Sequence, residues 1–79
     1  MTLNGITEEE KDMVLSFAKN NMRYRVTARE YYISHPGFMY HIRKIKVKTG
    51  LDPEKFYELY QLVQMINEER KNDEREPPQ

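Results

Sequence analysis

The sequence predicts an all-α protein, a compact four-helix domain that contains a helix-turn-helix. Signals for helix starts recur along the chain, apolar residues between them follow helical spacing, and asparagine, proline or glycine residues separate the segments. At 79 residues the chain has room for one small domain. Its 38% hydrophobic and 33% charged residues indicate a thin core, which does not suit the large cavity of a typical enzyme.

Composition also excludes several classes of protein. The chain has no cysteine, which excludes a disulfide scaffold and a thiolate metal site. No apolar run approaches the roughly 18 residues that span a bilayer, and the basic-then-apolar order of a signal peptide is missing. His35 and His41 lack the spacing of a helical metal site. We therefore expect a cytoplasmic protein with no membrane contact, metal, cofactor, small-molecule ligand or enzymatic activity.

The first helix is predicted to begin after Thr7. Thr7 and Glu10 match a capping box, in which each side chain accepts a backbone N–H at the start of the helix. Helical spacing then relates the apolar residues Met13, Val14, Phe17 and Ala18. Asn20-Asn21 predicts the end of this helix.

A second, short helix is predicted to begin at Thr27. Thr27 and Glu30 form another capping-box match. The helix must end soon, because Ser34-His35-Pro36-Gly37 interrupts the chain and proline is tolerated only in the first turn of a helix. Ser34 or His35 is therefore expected to cap the third helix.

The third helix is predicted over residues 36–49, followed by Gly50 as its C-terminal stop. Its buried stripe is expected to consist of Phe38, Ile42 and Ile45. The fourth helix is predicted to open with Asp52 as its N-cap and Pro53 as its first residue. Its apolar stripe comprises Phe56, Leu59, Tyr60, Val63 and Ile66, and it is widened by Tyr57, Leu62 and Met65.

The domain is predicted to cover residues 1–67. Residues 68–79 contain no apolar side chain and end in Pro-Pro-Gln, which predicts a charged, disordered tail. The formal net charge of the whole chain is zero, but residues 20–49 carry seven basic side chains and one acidic side chain. A basic segment of this kind suits a nucleic-acid surface; a solvated face balanced by acidic neighbours is the alternative.

A short helix, a tight turn and a second helix with basic outward positions make a helix-turn-helix. Ala28 provides the small residue where the helices cross, Ile33 enters the turn, and Phe38 and Ile42 anchor the second helix. Tyr31 and Tyr32 are expected to be core or half-buried residues.

These residues resemble the C-terminal helix-turn-helix domain of PucR/CdaR-type transcriptional regulators, and more distantly the Fis-type helix-turn-helix. The likeness covers roughly residues 14–66. It is carried by Thr27-Ala28-Arg29, by Tyr40, Ile42, Arg43 and Ile45 on the third helix, and by Thr49-Gly50-Leu51-Asp52. The chain departs from the family at Pro36-Gly37, where Asn-Thr is usual, and at His41, where arginine is frequent.

The resemblance implies sequence-specific binding of double-stranded DNA, with the third helix in the major groove, and a role as a transcriptional regulator. The expected DNA-binding residues are Arg25, Arg29, Ser34, His35, Pro36, Met39, Tyr40, Arg43, Lys44 and Lys46. Arg43 is the candidate for reading guanine, and Arg25 and Arg29 are candidates for phosphate contacts. The small size also suits a phage or mobile-element protein.

Two further expectations concern protein partners. The wide apolar face of the fourth helix predicts a homodimer through Tyr57, Leu62 and Met65, and packing of that face against the first helix is the alternative. The departure at Pro36-Gly37 and the zero net charge also favour a second function, a protein–protein interaction adaptor that keeps the helix-turn-helix scaffold without binding DNA.

Overall fold

Four α-helices form the part of the chain that the structure describes. The computed structural model describes residues 2–74, in which α1 spans Glu8–Lys19, α2 spans Tyr24–Glu30, α3 spans His35–Thr49 and α4 spans Phe56–Glu74. No strand occurs within these residues. The predicted all-α, four-helix domain is confirmed.

The polar groups at the ends of α1 and α3 match their predicted roles. Thr7 Oγ1 accepts the Glu10 N–H at 3.0 Å, and Glu10 Oε1 accepts the Thr7 N–H at 3.0 Å, so the capping box is complete. Ser34 Oγ caps α3 by accepting the Gly37 N–H at 3.1 Å. Gly50 ends α3 in the left-handed region, at φ 78°, where a side chain would be strained.

α2 begins one turn earlier than predicted, so the capping-box interpretation of Thr27 is wrong. Thr27 is buried inside the helix, where its hydroxyl donates to the Arg23 carbonyl oxygen at 2.8 Å and accepts from Asn20 Nδ2 at 3.1 Å. A threonine hydroxyl inside a helix can donate to the carbonyl oxygen one turn earlier. Thr27 therefore has a hydrogen-bond partner without occupying the N-cap position. The added turn places the Tyr24 ring 5.0 Å from the Phe17 ring, in an aromatic contact that stabilises the longer helix.

α4 begins later than predicted, at Phe56, so Asp52 is not its N-cap and Pro53 is not its first residue. Asp52 Oδ1 accepts the Glu54 N–H at 2.9 Å, and the Asp52 N–H donates to Glu58 Oε1 at 2.7 Å. The Asp52 carboxylate therefore closes a turn two residues ahead, which is a common use of aspartate that competes with helix capping.

α4 continues past residue 68, where the charged tail was predicted to begin, and ends at Glu74. Lys11 Nζ donates to Glu69 Oε1, and Arg70 Nη1 lies 2.9 Å from Asp12 Oδ1. These ion pairs hold the last turns of α4 against α1. Each joins residues far apart along the chain, so the local composition gave no indication of them. The remainder of the predicted tail, residues 75–79, lies outside the described residues.

α1 packs against each of the other three helices, and α2 packs against α3. The Phe17 ring of α1 is fully buried and lies 5.6 Å from the Phe38 ring of α3. The buried hydrophobic core consists of Ile6, Met13, Val14, Phe17, Ala28, Phe38, Ile42, Ile45, Leu51, Leu59, Leu62 and Ile66. The predicted buried stripe of α3 is therefore confirmed, and of the four apolar residues that helical spacing relates on α1, three are buried and Ala18 is half-buried.

The buried face of α4 differs from the predicted stripe. Leu62 is fully buried, so it is not available as the predicted dimer contact, whereas Met65 is half-buried and Tyr57 is exposed. Phe56 and Tyr60, expected in the buried stripe, are exposed as well. The reason is that α4 turns Leu59, Leu62 and Ile66 towards the core, which rotates its first aromatic residues outward.

Replacing Ile42 with alanine tests the core. Ile42 is fully buried, so we expect the Ile42→Ala variant to lower the free energy of unfolding by about 2–5 kcal/mol. Val47 lies on the same helix but is exposed, and Val47→Ala should change it by less than about 0.5 kcal/mol. Urea unfolding monitored by circular dichroism measures both. Equal losses in the two variants would contradict the assigned core.

Candidate nucleic-acid interface

Four residues, Tyr31–Ser34, connect α2 to α3 and set the geometry of the helix pair. The Ile33 N–H donates to the Ala28 carbonyl oxygen at 3.2 Å, and the buried Ala28 occupies the crossing as predicted. Tyr32 adopts a left-handed conformation with φ 57°, which costs a non-glycine residue roughly 1–2 kcal/mol. Its side chain is 96% exposed, so the expectation that Tyr32 is a core or half-buried residue is wrong, whereas Tyr31 is half-buried as expected.

The first turn of α3 accounts for the glycine that departs from the resembled family. A Cβ atom on Gly37 would lie 3.2 Å from Ser34 Oγ and 3.8 Å from Ile33 Cβ. The first of these separations is tighter than ordinary van der Waals contact. Glycine therefore lets the turn close over the Ser34 cap, despite its low helix propensity.

α3 presents three faces with different surroundings. Its buried face is formed by Phe38, Ile42, Ile45 and Thr49. A second face directs His41, Lys44 and Lys48 towards α1. A third face consists of exposed residues that recur at intervals of three and four, namely Pro36, Tyr40, Arg43 and Val47. This outward face is the surface that a major groove could receive.

Glu10 of α1 contacts all three basic residues of the second face. Its side chain is almost completely buried, and its Oε2 lies 3.4 Å from His41 Nδ1 and 3.9 Å from Lys44 Nζ. Its Oε1 lies 3.7 Å from Lys48 Nζ and also closes the capping box. One carboxylate thus caps α1 and contacts three basic side chains of α3.

These contacts set the protonation of Glu10. Burial favours the neutral acid, but the Thr7 N–H, His41, Lys48 and Lys44 together outweigh it and lower the pKa of the Glu10 carboxyl below its usual value of 4.5. Glu10 is therefore charged at neutral pH.

The basic residues of the candidate interface divide into two groups. Lys46 Nζ lies 3.6 Å from Asp52 Oδ2, and Lys44 Nζ lies 5.4 Å from the centre of the Tyr40 ring in addition to its contact with Glu10. The arginines of this region are exposed and form no ion pair within 4.0 Å among the described residues; they are Arg23, Arg25, Arg29 and Arg43. The arginines therefore carry the positive charge that is most available to an anionic partner.

A surface groove of about 460 Å³ brings part of the predicted site together. Arg25 and Arg29, one turn apart on α2, line it with His35 from the first turn of α3 and with Tyr32. The uncharged residues Ala28 and Ile33 complete the lining. Two guanidinium groups, an imidazole and an aromatic ring around one groove suit a phosphate with its attached sugar or base.

The ten predicted site residues do not form one continuous surface. Arg25, Arg29 and His35 line the groove where α2 meets α3, and Ser34 caps the first turn of α3. Pro36, Tyr40 and Arg43 lie on the outward face, and Met39 is half-buried. Lys44 and Lys46 turn to opposite sides of α3, towards Glu10 and Asp52.

Sequence reasoning missed the roles of three residues that shape this surface. Val47 is 83% exposed and lies on the outward face, one turn beyond Arg43; its helical spacing from Tyr40 could have indicated this position. Tyr32 owes its exposure to a left-handed turn that no local pattern signalled. Glu10 was recognisable as a cap, but its contacts with α3 depend on tertiary packing.

Other kinds of site find no support in this part of the chain. Within residues 2–74, no group of three or more histidine, cysteine, aspartate or glutamate residues could hold a metal ion. None of the described helices is long and apolar enough to cross a membrane.

No family model, curated protein or solved structure matches the chain.

The role of Glu10 can be tested by its pH dependence. Because folding lowers its pKa, charged Glu10 stabilises the fold fully above the usual value of 4.5, and this contribution is lost as the pH falls through the lowered pKa. We expect Glu10→Gln to lower the free energy of unfolding by about 1.5–3 kcal/mol at pH 7. The difference in unfolding free energy between Glu10→Gln and the unsubstituted protein should shrink as the pH falls below 4.5 and through the lowered pKa of Glu10.

Urea unfolding across a series of pH values measures this effect. Glu9→Gln is the matched control, because Glu9 is an exposed neighbour in the same turn of α1. Its unfolding free energy should stay within about 0.5 kcal/mol of the unsubstituted protein. A constant difference between Glu10→Gln and the unsubstituted protein at every pH would contradict an electrostatic role for Glu10.

Proposed function

We propose that this protein binds double-stranded DNA with the outward face of α3 in the major groove, as a transcriptional regulator does. The observation that carries the proposal is the set of exposed arginines around α2 and α3, none of which is engaged in an ion pair among the described residues. An α-helix fits the major groove, which is about 12 Å wide. The 15 residues of α3 give it a length of about 22 Å, enough to reach several base pairs.

Each group of residues has a distinct part in this proposal. Arg43, from the middle of the outward face, can bond guanine O6 and N7 together, and Tyr40 lies beside it. Arg25 and Arg29 contact a flanking phosphate from α2, and His35 adds a polar contact at the start of α3. Ser34 already accepts a backbone hydrogen bond, but its hydroxyl hydrogen can still be donated to a phosphate oxygen.

The ion pairs of Lys44 and Lys46 indicate that the protein should bind DNA weakly. Lys44 and Lys46 each contact an acidic group of the same chain, so DNA phosphates must compete with Glu10 and Asp52 for them. The zero net charge also gives no long-range attraction to DNA. We therefore expect weak non-specific binding, in the range of roughly 10⁻⁴–10⁻⁶ M, that depends steeply on salt.

An amide-shift NMR titration with a random duplex of about 20 base pairs, at about 50 and about 200 mM salt, tests the proposal. Shifts are expected at residues 25–46 and should fade at the higher salt. In anisotropy measurements, Arg25→Ala, Arg29→Ala and Arg43→Ala should each weaken binding and reduce the slope of log affinity against log salt by about 1.

Lys55→Ala is the control for the arginine variants. Lys55 is exposed, precedes α4 and forms no ion pair among the described residues, so its loss removes one positive charge away from the proposed interface. Affinity should then change little. If no amide shifts occur at the lower salt, or if Lys55→Ala weakens binding as much as the arginine variants do, the DNA proposal is wrong.

One observation favours the second candidate function, a protein–protein interaction adaptor. Tyr40 and Val47 are 62% and 83% exposed, so apolar surface flanks Arg43 along the outward face. A partner helix packed there would be held by apolar contacts, and its binding would depend little on salt. The double variant Tyr40→Ser/Val47→Ser should lose binding to a partner protein at both salt concentrations. This result would distinguish the adaptor function from DNA binding.

A further inference from the structure

The start of α4 carries an aromatic patch that the proposed function does not use. We define the aromatic patch as Phe56, Tyr57 and Tyr60, whose side chains are 66%, 78% and 54% exposed. The rings of Phe56 and Tyr57 meet edge to face, with centroids 5.3 Å apart. Aromatic side chains bury roughly 150–250 Å² each when covered, so the three expose roughly 300–500 Å² together. Exposed patches of this size are frequently functional.

A groove of about 220 Å³ lies beside the patch, between the C-terminal end of α1 and the start of α4. It is lined by Ala18, Asn21, Met22, Phe56, Leu59 and Tyr60. None of these residues is charged, although 33% of the chain is. Depletion of charge together with aromatic residues and methionine is typical of the core of a protein–protein interface. A surface for nucleic acid would instead require cations.

We propose that a second copy of this chain covers the aromatic patch, so that the protein forms a homodimer about a twofold axis through the start of α4. A twofold interface brings the same surface together from both copies and therefore has to be self-complementary. This surface carries both of the required shapes: the protruding rings of Phe56 and Tyr57, and the neighbouring groove between α1 and α4.

The area favours a weak, concentration-dependent dimer. The aromatic rings of two copies would bury roughly 600–1,000 Å² in total, and the remaining groove residues add to this. Specific but transient interfaces lie at or below about 1,200 Å². The patch is also held in place before binding, because Leu59 and Leu62 anchor α4 in the core and Gln64 Nε2 donates to the Tyr60 hydroxyl at 3.0 Å. Such preorganisation lowers the entropic cost of association.

The dimer also bears on DNA binding. Two copies would provide two α3 helices and could bind two half-sites, as helix-turn-helix dimers do. Only this consequence rests on the proposed function, because the dimer itself is argued from a surface that shares no residue with the candidate interface.

Sedimentation equilibrium of the full chain, from about 5 to about 500 μM, tests the dimer. We expect reversible self-association with a dissociation constant of about 10⁻⁵–10⁻⁴ M that changes little with salt. Replacing Phe56 and Tyr57 together by serine should weaken self-association at least about tenfold, because the protruding rings are lost. Tyr32→Ser is the matched control: it removes an aromatic ring that is 96% exposed, from the turn between α2 and α3, and should leave the dissociation constant unchanged.

A monomer at every concentration would overturn the dimer, as would an equal loss of self-association in Tyr32→Ser. Circular dichroism checks that the double variant is folded. If it is not, Tyr60→Lys, which places a charge in the same patch, takes its place and should likewise weaken self-association at least about tenfold. The DNA titration tests the proposed function independently of the dimer. A salt-independent dimer that does not bind DNA would refute the proposed function alone, and DNA binding by a strict monomer would refute the dimer alone.

Discussion

The packing of α1 against all three other helices is the constraint on which the rest of the structure depends. Near its C-terminal end, Phe17 contacts the aromatic rings of Tyr24 in α2 and Phe38 in α3. At its N-terminal end, Glu10 faces the basic residues of α3. Between these residues, Lys11 Nζ donates a hydrogen bond to Glu69 in the C-terminal part of α4. One short amphipathic helix thus fixes the orientation of the helix pair α2–α3 and the length of α4.

The buried Glu10 carboxylate links stability to the candidate function. Its ion pairs orient α3 against α1, and the same pairs engage His41, Lys44 and Lys48, which are half-buried. Arginines on α2 and on the outward face of α3 therefore carry the exposed charge. Since guanidinium groups bind phosphate and guanine through two parallel hydrogen bonds, the division of the basic residues favours contacts with defined geometry over a diffuse basic surface.

The two candidate surfaces of the molecule differ in chemistry. The surface around α2 and α3 combines arginines with exposed Tyr32 and Tyr40, whereas the groove beside the start of α4 has no charged residue. Because each surface uses residues that the other lacks, association with an anionic partner and self-association can occur together. The positions of Leu62 and Phe56 explain this arrangement: burial of Leu62 in the core rotates Phe56 towards solvent.

The sequence by itself determined what short-range chemistry controls. Capping groups at Thr7 and Ser34, the left-handed Gly50, the small Ala28 at the helix crossing and the buried stripe of α3 were all predictable, because each depends on residues within about one turn. Tertiary structure decided what depends on distant residues. The earlier start of α2 follows from the packing of Tyr24 on Phe17, and the longer α4 follows from ion pairs with α1. The ion pair that engages Lys44 depends on Glu10, more than thirty positions away, since the free energy of an ion pair depends on distance in space and on burial rather than on separation along the chain.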